Sequence, residues 1–318
     1  MKITIISLDN WGYNKYLYEY LLSKNVEASY INFHEFRYKY SSPLDRVKNF
    51  LRKKLLRKNI KKEVLHEKIL GRLEELGKQD VILMIKADYL LPKTIKSIKV
   101  YSDNFISFFN DNFIRSPRIK HNYTYFDKVY SFEKEDVEAF GFSFKTNFIY
   151  NELIDYEVKE EFTVFNISSY DIYRLSVIEK IAEQLDLLNK NYKIINVGNK
   201  AKPHRIETNI EFTPEKLNLK EISSLMKKSK ILLDVNRINQ HGLTFRVFEC
   251  MGARKKLITT NRDIINYDFY NPMNILVINE NNVNIPQEFI DTPYEDIPSD
   301  IYEKYTIKGW FKDVLPNL

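Results

Sequence analysis

The chain has 318 residues, 44% hydrophobic, 14% aromatic and 29% charged, a globular balance that excludes a wholly disordered polymer. Its 49 Lys and Arg exceed its 43 Asp and Glu, for a formal net charge of +6. The one cysteine, Cys250, excludes an internal disulfide and any cysteine-based zinc site, and no run of about 18 apolar residues is present to form a membrane-spanning helix. The length suits one large domain or two of ordinary size. The opening MKITIISLDNW reads as a strand without the long apolar region of a signal peptide, so the reducing cytoplasm is the expected compartment.

The elements follow in chain order. Lys2 to Leu8 predicts a buried strand, the polar turn Asp9-Asn10-Trp11-Gly12 follows, and Tyr16, Leu17, Tyr20 and Leu21 recur at helical spacing. Val26 to Phe33 predicts a second strand, which completes a βαβ-sized unit. After Pro43 comes a basic run in which Val47, Phe50, Leu51, Leu55, Ile60, Val64 and Leu65 can line one broad stripe, with a further helix running on to Leu76. Short strands are expected at Asp80–Ile85, Asn104–Phe109 and Lys128–Ser131, with one more at Lys145–Tyr150. A polar break, DYEVKEE at 155–161, is the expected linker between domains.

Beyond it the pattern restarts. Strands are expected at Phe162–Ile167, Tyr192–Val197, Lys230–Val235, Lys256–Thr260 and Ile275–Ile278. Helices are expected at Ser176–Leu188, Leu219–Lys228, around Phe245–Met251, and over Asp300–Leu315 with Trp310 and Phe311. Strands separated by helices predict parallel sheets covered on both faces. The expectation is an α/β chain of two doubly wound, Rossmann-like domains, residues 1–155 and 156–304.

Common catalytic motifs are absent. The chain has eight glycines and contains no GxGxxG, no GxxxxGK[ST] and no GxSxG. The five histidines are scattered and none forms HExxH, and the acids show no calcium-loop spacing, so no metal is expected.

The informative segment is Ile231 to Tyr270, ILLDVNRINQHGLTFRVFECMGARKKLITTNRDIINYDFY. A strand ends near Val235, a polar loop runs from Asn236 to His241, Gly242 permits a turn, and a helix begins near Leu243 or Thr244. Thr244 can cap that helix, and its free amides can hold an anion. Arg246 adds positive charge near the helix start, and Glu249, three residues on, shares its face. The strand KLITT then leads into Asn261 and Arg262. Ligands of open α/β sheets bind beyond the carboxyl ends of the strands.

This string resembles the C-terminal domain of GT-B nucleotide-sugar glycosyltransferases, above all bacterial lipopolysaccharide and capsule biosynthesis transferases related to the CgeB-like group. Gly242-Leu243-Thr244, Arg246, Glu249 and Lys255 to Asn261 carry the resemblance, together with Phe126–Gly141 and Tyr305–Phe311. It covers most of residues 126–312 and is weak before residue 120. The resemblance implies a GT-B fold with two Rossmann-like domains facing a cleft, and a closing helix at 305–318 packing back on the first domain. It implies a nucleotide diphosphate-sugar donor, a UDP-sugar ahead of a GDP-sugar. Glu249 would contact the ribose, Arg246 the pyrophosphate, and Gly242, Leu243 and Thr244 would sit by the donor. His241, Asn261, Arg174 at the head of a helix, and Lys200 after Gly198 complete the donor-site candidates. The acceptor would be a glycan or lipid-linked saccharide of the cell surface, and side chains rather than a metal would stabilise the leaving diphosphate.

One departure stands out. Retaining GT-B enzymes often carry an acid just before the turn, where this chain has Gln240-His241. The lean is therefore towards inversion, which needs a base for the acceptor hydroxyl. Asp9 and Asp111, each just beyond a strand, are the candidates, with Glu133 a third. Each candidate also has a plain structural role open to it: a cap or Asx turn for the aspartates, a helix-surface pair with a lysine for Glu249, a simple salt bridge for Arg246, a helix cap for Thr244, a solvated loop for His241.

The basic character is local. Residues 46–62 hold nine Lys or Arg and no acid, and the rest of the chain is slightly acidic. Such a run beside apolar side chains suits either a solvated helix face or an anionic membrane surface, so the expectation includes peripheral attachment to the inner face of the cell membrane. A nucleic-acid partner is not expected, because no wider basic footprint extends the run. The rival functions are a sugar epimerase or phosphate-transfer enzyme on the same architecture, and a non-enzymatic glycan-binding or assembly subunit. Oligomeric state is open.

Overall fold

The computed structural model describes residues 1–36, 38–152, 158–198, 208–316 and 318. The chain divides into two compact units, Met1–Lys145 and Thr146–Leu318. Residues 155–157 of the expected linker lie outside the described residues, as does Lys200.

In the first unit the elements run β1 (Lys2–Ser7), α1 (Lys15–Ser23), β2 (Glu27–Asn32), α2 (Pro43–Leu56), α3 (Ile60–Leu76), β3 (Val81–Ile85), α4 (Pro92–Lys99), β4 (Phe105–Phe109), α5 (Ile119–Asn122), β5 (Lys128–Ser131), α6 (Lys134–Phe140) and β6 (Ser143–Phe144). The strands form a parallel sheet in the order β2-β1-β3-β4-β5-β6. Its central strands are almost wholly apolar because helices cover both faces. Ile3, Ile5, Ile6, Ile82, Leu83 and Met84 are fully buried.

In the second unit they run β7 (Phe162–Ser169), α7 (Ile172–Leu187), β8 (Tyr192–Val197), β9 (Glu211–Thr213), α8 (Leu219–Lys227), β10 (Ser229–Asp234), α9 (Phe245–Ala253), β11 (Lys256–Thr259), β12 (Ile275–Val277), α10 (Gln287–Asp291), α11 (Ser299–Tyr305) and α12 (Ile307–Val314). This sheet is also parallel, in the order β12-β11-β10-β7-β8-β9. Val164, Ile231, Leu233 and Ile258 on the strands pack with Leu175, Ile178, Ile181 and Leu185 of α7. Two doubly wound, Rossmann-like sheets are the architecture that the alternation of strands and helices predicts.

Three local expectations are corrected. Residues 145–150 are not a strand; apart from one isolated bridge between Ile149 and Thr306 they run outside both sheets. The single terminal helix is two, because Thr306 ends α11 and its hydroxyl caps α12 by accepting from Gly309 N at 3.2 Å. Gly309 fits the break because a Cβ there would run into the Glu303 carbonyl oxygen. The apolar residues of the basic run, which spans α2 and the start of α3, do not share one stripe: Leu65 is buried, whereas Val47, Phe50, Leu51 and Leu55 of α2 are exposed.

The segment opening the second unit is anchored by its own neighbours. Trp310 Nε1 donates to Thr146 O at 3.0 Å, Ile149 N to Tyr305 O at 2.7 Å, and Asn147 Nδ2 to Leu243 O at 2.9 Å. Trp310 is fully buried and packs edge-on against Phe148 with ring centroids 5.5 Å apart.

Candidate functional site

The chain leaves β7 towards β8 on one side and returns through β10 on the other, so the carboxyl ends of β7 and β10 form the topological switch point of the second sheet. Two guanidinium groups meet there at Ser169, the last residue of β7. Arg237 Nη2, from the loop after β10, donates to Ser169 Oγ at 2.6 Å. Arg174 Nη1, from the first turn of α7, donates to Ser169 O at 3.4 Å. Arg174 is placed by the cap of α7, where Asp171 Oδ1 accepts from Arg174 N at 3.1 Å. Arg237 is absent from the sequence-based candidates. It sits in a loop legible only as polar, and its placement depends on the strand neighbour 68 residues earlier.

A second missed residue ties this edge together. Asp234 ends β10, is buried, and accepts from Thr244 Oγ1 at 2.9 Å and Thr259 Oγ1 at 3.2 Å. Burial pushes its carboxyl up, against the hydrogen bond from Thr244 and the charges of Arg174 and Arg246. The only sequence signal was an acid closing an apolar strand, ILLD. Thr244 caps α9 by accepting from Arg246 N at 3.1 Å. Its hydroxyl therefore links the end of β10 to the start of α9.

The other candidates shape the loop between them. Asn261 Nδ2 donates to His241 O at 2.9 Å, and Asn236 Nδ2 to Gln240 O at 2.8 Å. His241 itself is exposed, while Gly242 and Leu243 are buried. The loop therefore stands on side-chain amides that replace backbone partners.

Arg246 and Glu249 lie on one face of α9, as their spacing predicts, but that face is turned inward. They pair at 2.8 Å with side chains 10% and 2% exposed. Arg246 also donates to Met226 Sδ at 3.1 Å and to Ile167 O at 3.4 Å. The other Glu249 oxygen accepts from Tyr150 Oη at 2.6 Å. In this conformation both groups are spent within the protein, so a surface ion pair does not describe them. A direct contact with a diphosphate or ribose requires the pair to open. Cys250, beside them, is buried and its thiol is pushed up by burial, so it is a packing residue rather than a nucleophile.

The first unit has its own polar edge. Asp9 follows β1 and holds the turn into α1: its oxygens accept from Trp11 N, Gly12 N, Asn14 N, Lys15 N and Tyr30 Oη at 2.7–3.3 Å. Asp111 follows β4 and pairs with Lys86 at 3.4 Å and Arg115 at 2.9 Å. Two further acids join it. Burial raises the Asp88 carboxyl, with Lys86 and Ser116 opposing and Asp111 adding to the rise. Burial raises Asp136 from 3.8 to about 6, opposed by the hydrogen bond from Phe113 N at 3.1 Å. Glu133, the third base candidate, is buried one residue before α6.

The Asp136 shift has a measurable consequence. The folded chain holds a proton that the unfolded chain has released, so this group's contribution to stability is full below pH 3.8 and is lost as pH rises to about 6. Asp136→Asn removes that titration. Between these pH values the change in thermal midpoint should be more positive in the variant than in the wild type, and an identical change in both would show that Asp136 contributes none of it.

Among the described residues, no group of three or more His, Cys, Asp or Glu side chains is arranged to hold a metal ion. No helix among them is long and apolar enough to cross a membrane.

No family model matches the chain, and no curated protein matches it. Solved structures do. The chain is similar to the lipopolysaccharide outer core galactosyltransferase WaaB, in its apo form, at 12% identity and a TM-score of 0.56, covering 100% of both chains. It is similar to the α,α-trehalose 6-phosphate synthase of Burkholderia multivorans at 8% identity and a TM-score of 0.58, covering 99% of this chain and 96% of that one. It is similar to the UDP-GlcNAc 2-epimerase of Methanocaldococcus jannaschii at 9% identity and a TM-score of 0.52, covering 100% of both. At such identities the likeness establishes the fold, which is of the GT-B type. The narrower CgeB-like likeness rests on the sequence alone, at residues 126–141, 231–270 and 305–311.

Proposed function

We propose that the chain is a glycosyltransferase that takes a sugar from a nucleotide diphosphate-sugar, a UDP-sugar ahead of a GDP-sugar, and moves it to a hydroxyl of a surface glycan such as lipopolysaccharide or capsule. The observation that carries the reading is the convergence of Arg174 and Arg237 on Ser169 at the switch point, beside the capped start of α9. A breaking glycosidic bond leaves negative charge on the diphosphate. Fixed guanidinium groups and helix-start amides are the groups that stabilise it, without a metal. In this proposal Arg174, Arg237, Thr244 and the neighbouring Gly242 and Leu243 hold the diphosphate, with His241 and Asn261 lining the loop. Arg246 adds its charge from within α9, and Glu249 reaches the ribose only once its pair with Arg246 opens on donor binding. Asp111, close to Asp88 and Asp136, is a better candidate for the base than Asp9, whose oxygens are occupied by five donors. The full-length likeness to a lipopolysaccharide galactosyltransferase supports the transfer reading.

A second reading, a nucleotide-sugar epimerase, is favoured by the full-length likeness to a UDP-GlcNAc 2-epimerase. Product analysis with labelled nucleotide-sugars separates the two. Transfer consumes donor only when a glycan acceptor is present and puts the label on the acceptor. Epimerisation yields an isomeric nucleotide-sugar without any acceptor. If nucleotide-sugars neither bind nor turn over, both readings fall and a glycan-binding subunit remains.

A further inference from the structure

Helix α2 is built inside out. Its sequence, PLDRVKNFLRKKLL, places Asp45, Asn49 and Arg52 on one face, and this polar face is the one fastened to the first unit. Asp45 accepts from Tyr38 Oη at 2.5 Å. Asn49 is the helix's one buried residue; it donates to Tyr40 Oη at 2.7 Å and accepts from Ile60 N at 2.9 Å. Arg52 pairs with Glu63 of α3 at 3.1 Å. The opposite face carries Leu44, Val47, Leu51 and Leu55, spaced i, i+3, i+7 and i+11, with Phe50 beside them. These five side chains are 47–74% exposed. The helix cannot roll this stripe inward without giving up the bonds of Asp45, Asn49 and Arg52.

Charge flanks the stripe on both sides. Arg46, Lys48, Lys53 and Lys54 are exposed on α2, and Arg57 and Lys58 are exposed just after it. The only acid of α2, Asp45, belongs to the fastened face. An apolar stripe bordered by cations of one sign is the pattern of a helix lying in the plane of an anionic lipid surface, with its side chains at the boundary between headgroups and acyl chains. A second copy of the chain is a poor occupant, because pairing the two stripes would bring these cations together.

We propose that α2 docks the first unit flat on an anionic bilayer, with Leu44, Val47, Phe50, Leu51 and Leu55 entering the interface and the flanking Lys and Arg contacting acidic headgroups. The proposal stands on the helix alone and does not depend on the reaction assigned above.

Co-sedimentation of the full chain with vesicles tests it. The chain should bind vesicles of phosphatidylcholine mixed with phosphatidylglycerol and leave phosphatidylcholine vesicles in the supernatant, with binding that weakens as salt rises. Each cation near such a surface is worth about a fivefold factor in affinity, so Lys48, Lys53 and Lys54 all changed to Glu should cost at least about 100-fold. Leu51→Asp with Leu55→Asp should abolish binding while leaving the thermal midpoint unchanged, because both side chains are exposed. Equal binding to neutral vesicles, no binding to acidic ones, or unchanged binding in both variants overturns the proposal. A wild-type dimer by sedimentation that Leu51→Asp dissolves, without vesicle binding, would instead assign the stripe to a second copy.

Discussion

Glu249→Ala is expected to lower the unfolding free energy by about 3–5 kcal/mol, the cost of breaking a buried ion pair by removing one partner. The Arg246 guanidinium would lose this carboxylate, while Met226 Sδ, Ile167 O and the Phe165 ring, whose centroid is 5.6 Å away, stay beside it. Tyr150 Oη would lose this carboxylate acceptor in the same variant. Tyr150→Phe removes one hydrogen bond to a charged group and should cost less, about 1.5–3 kcal/mol. Urea unfolding of the two variants beside the wild type measures the difference. A loss below about 1 kcal/mol for Glu249→Ala is the range of exposed pairs and would show that the pair is in contact with water.

Trp310→Ala should be comparably severe, about 3–5 kcal/mol, as for other large aromatics removed from a packed interior. The indole is fully buried, its ring meets Phe148 and Phe311 at 5.5 and 5.4 Å, and its Nε1–H satisfies the Thr146 carbonyl. The same cluster holds residues 146–149 against α12, while Asn147 reaches Leu243 at the entry to α9. Trp310→Phe keeps most of the volume and loses the hydrogen bond, so it should fall between the wild type and Trp310→Ala. Equal thermal midpoints for Trp310→Ala and the wild type would mean that α12 does not stabilise this unit.

Most of the strands were legible because buried parallel strands are short apolar runs, and ITIIS, VILMI, FISFF and ILLD read as strands whatever surrounds them. The helix of Arg246 and Glu249 was legible from Thr244 onward, down to the shared face of the two side chains. Its inward orientation was not, because that depends on Tyr150, 99 residues before Glu249. Arg237 and Asp234 were missed for the same reason: both lie in a readable strand and loop, but their neighbours come from β7, α9 and β11. In α2 the apolar spacing is legible in the sequence, but the face that the stripe turns to is not. Tyr38, Tyr40 and Glu63 satisfy the polar face, and no periodicity reveals that. The terminal helix was read as continuous because a threonine in a helical pattern breaks it only when its hydroxyl takes over as a cap, which a tertiary fit decides.

Calorimetric titration with UDP and UDP-sugars, of the wild type and of Arg237→Ala, tests most directly the placement of a diphosphate at the β7–β10 switch point. Saturable binding by the wild type, weakened about tenfold or more in Arg237→Ala with an unchanged thermal midpoint of the ligand-free protein, is the predicted result, since a hydrogen bond to a charged group is worth about 1.5–3 kcal/mol. Nucleotide affinity that is equal in the two proteins would place the diphosphate elsewhere and contradict the site.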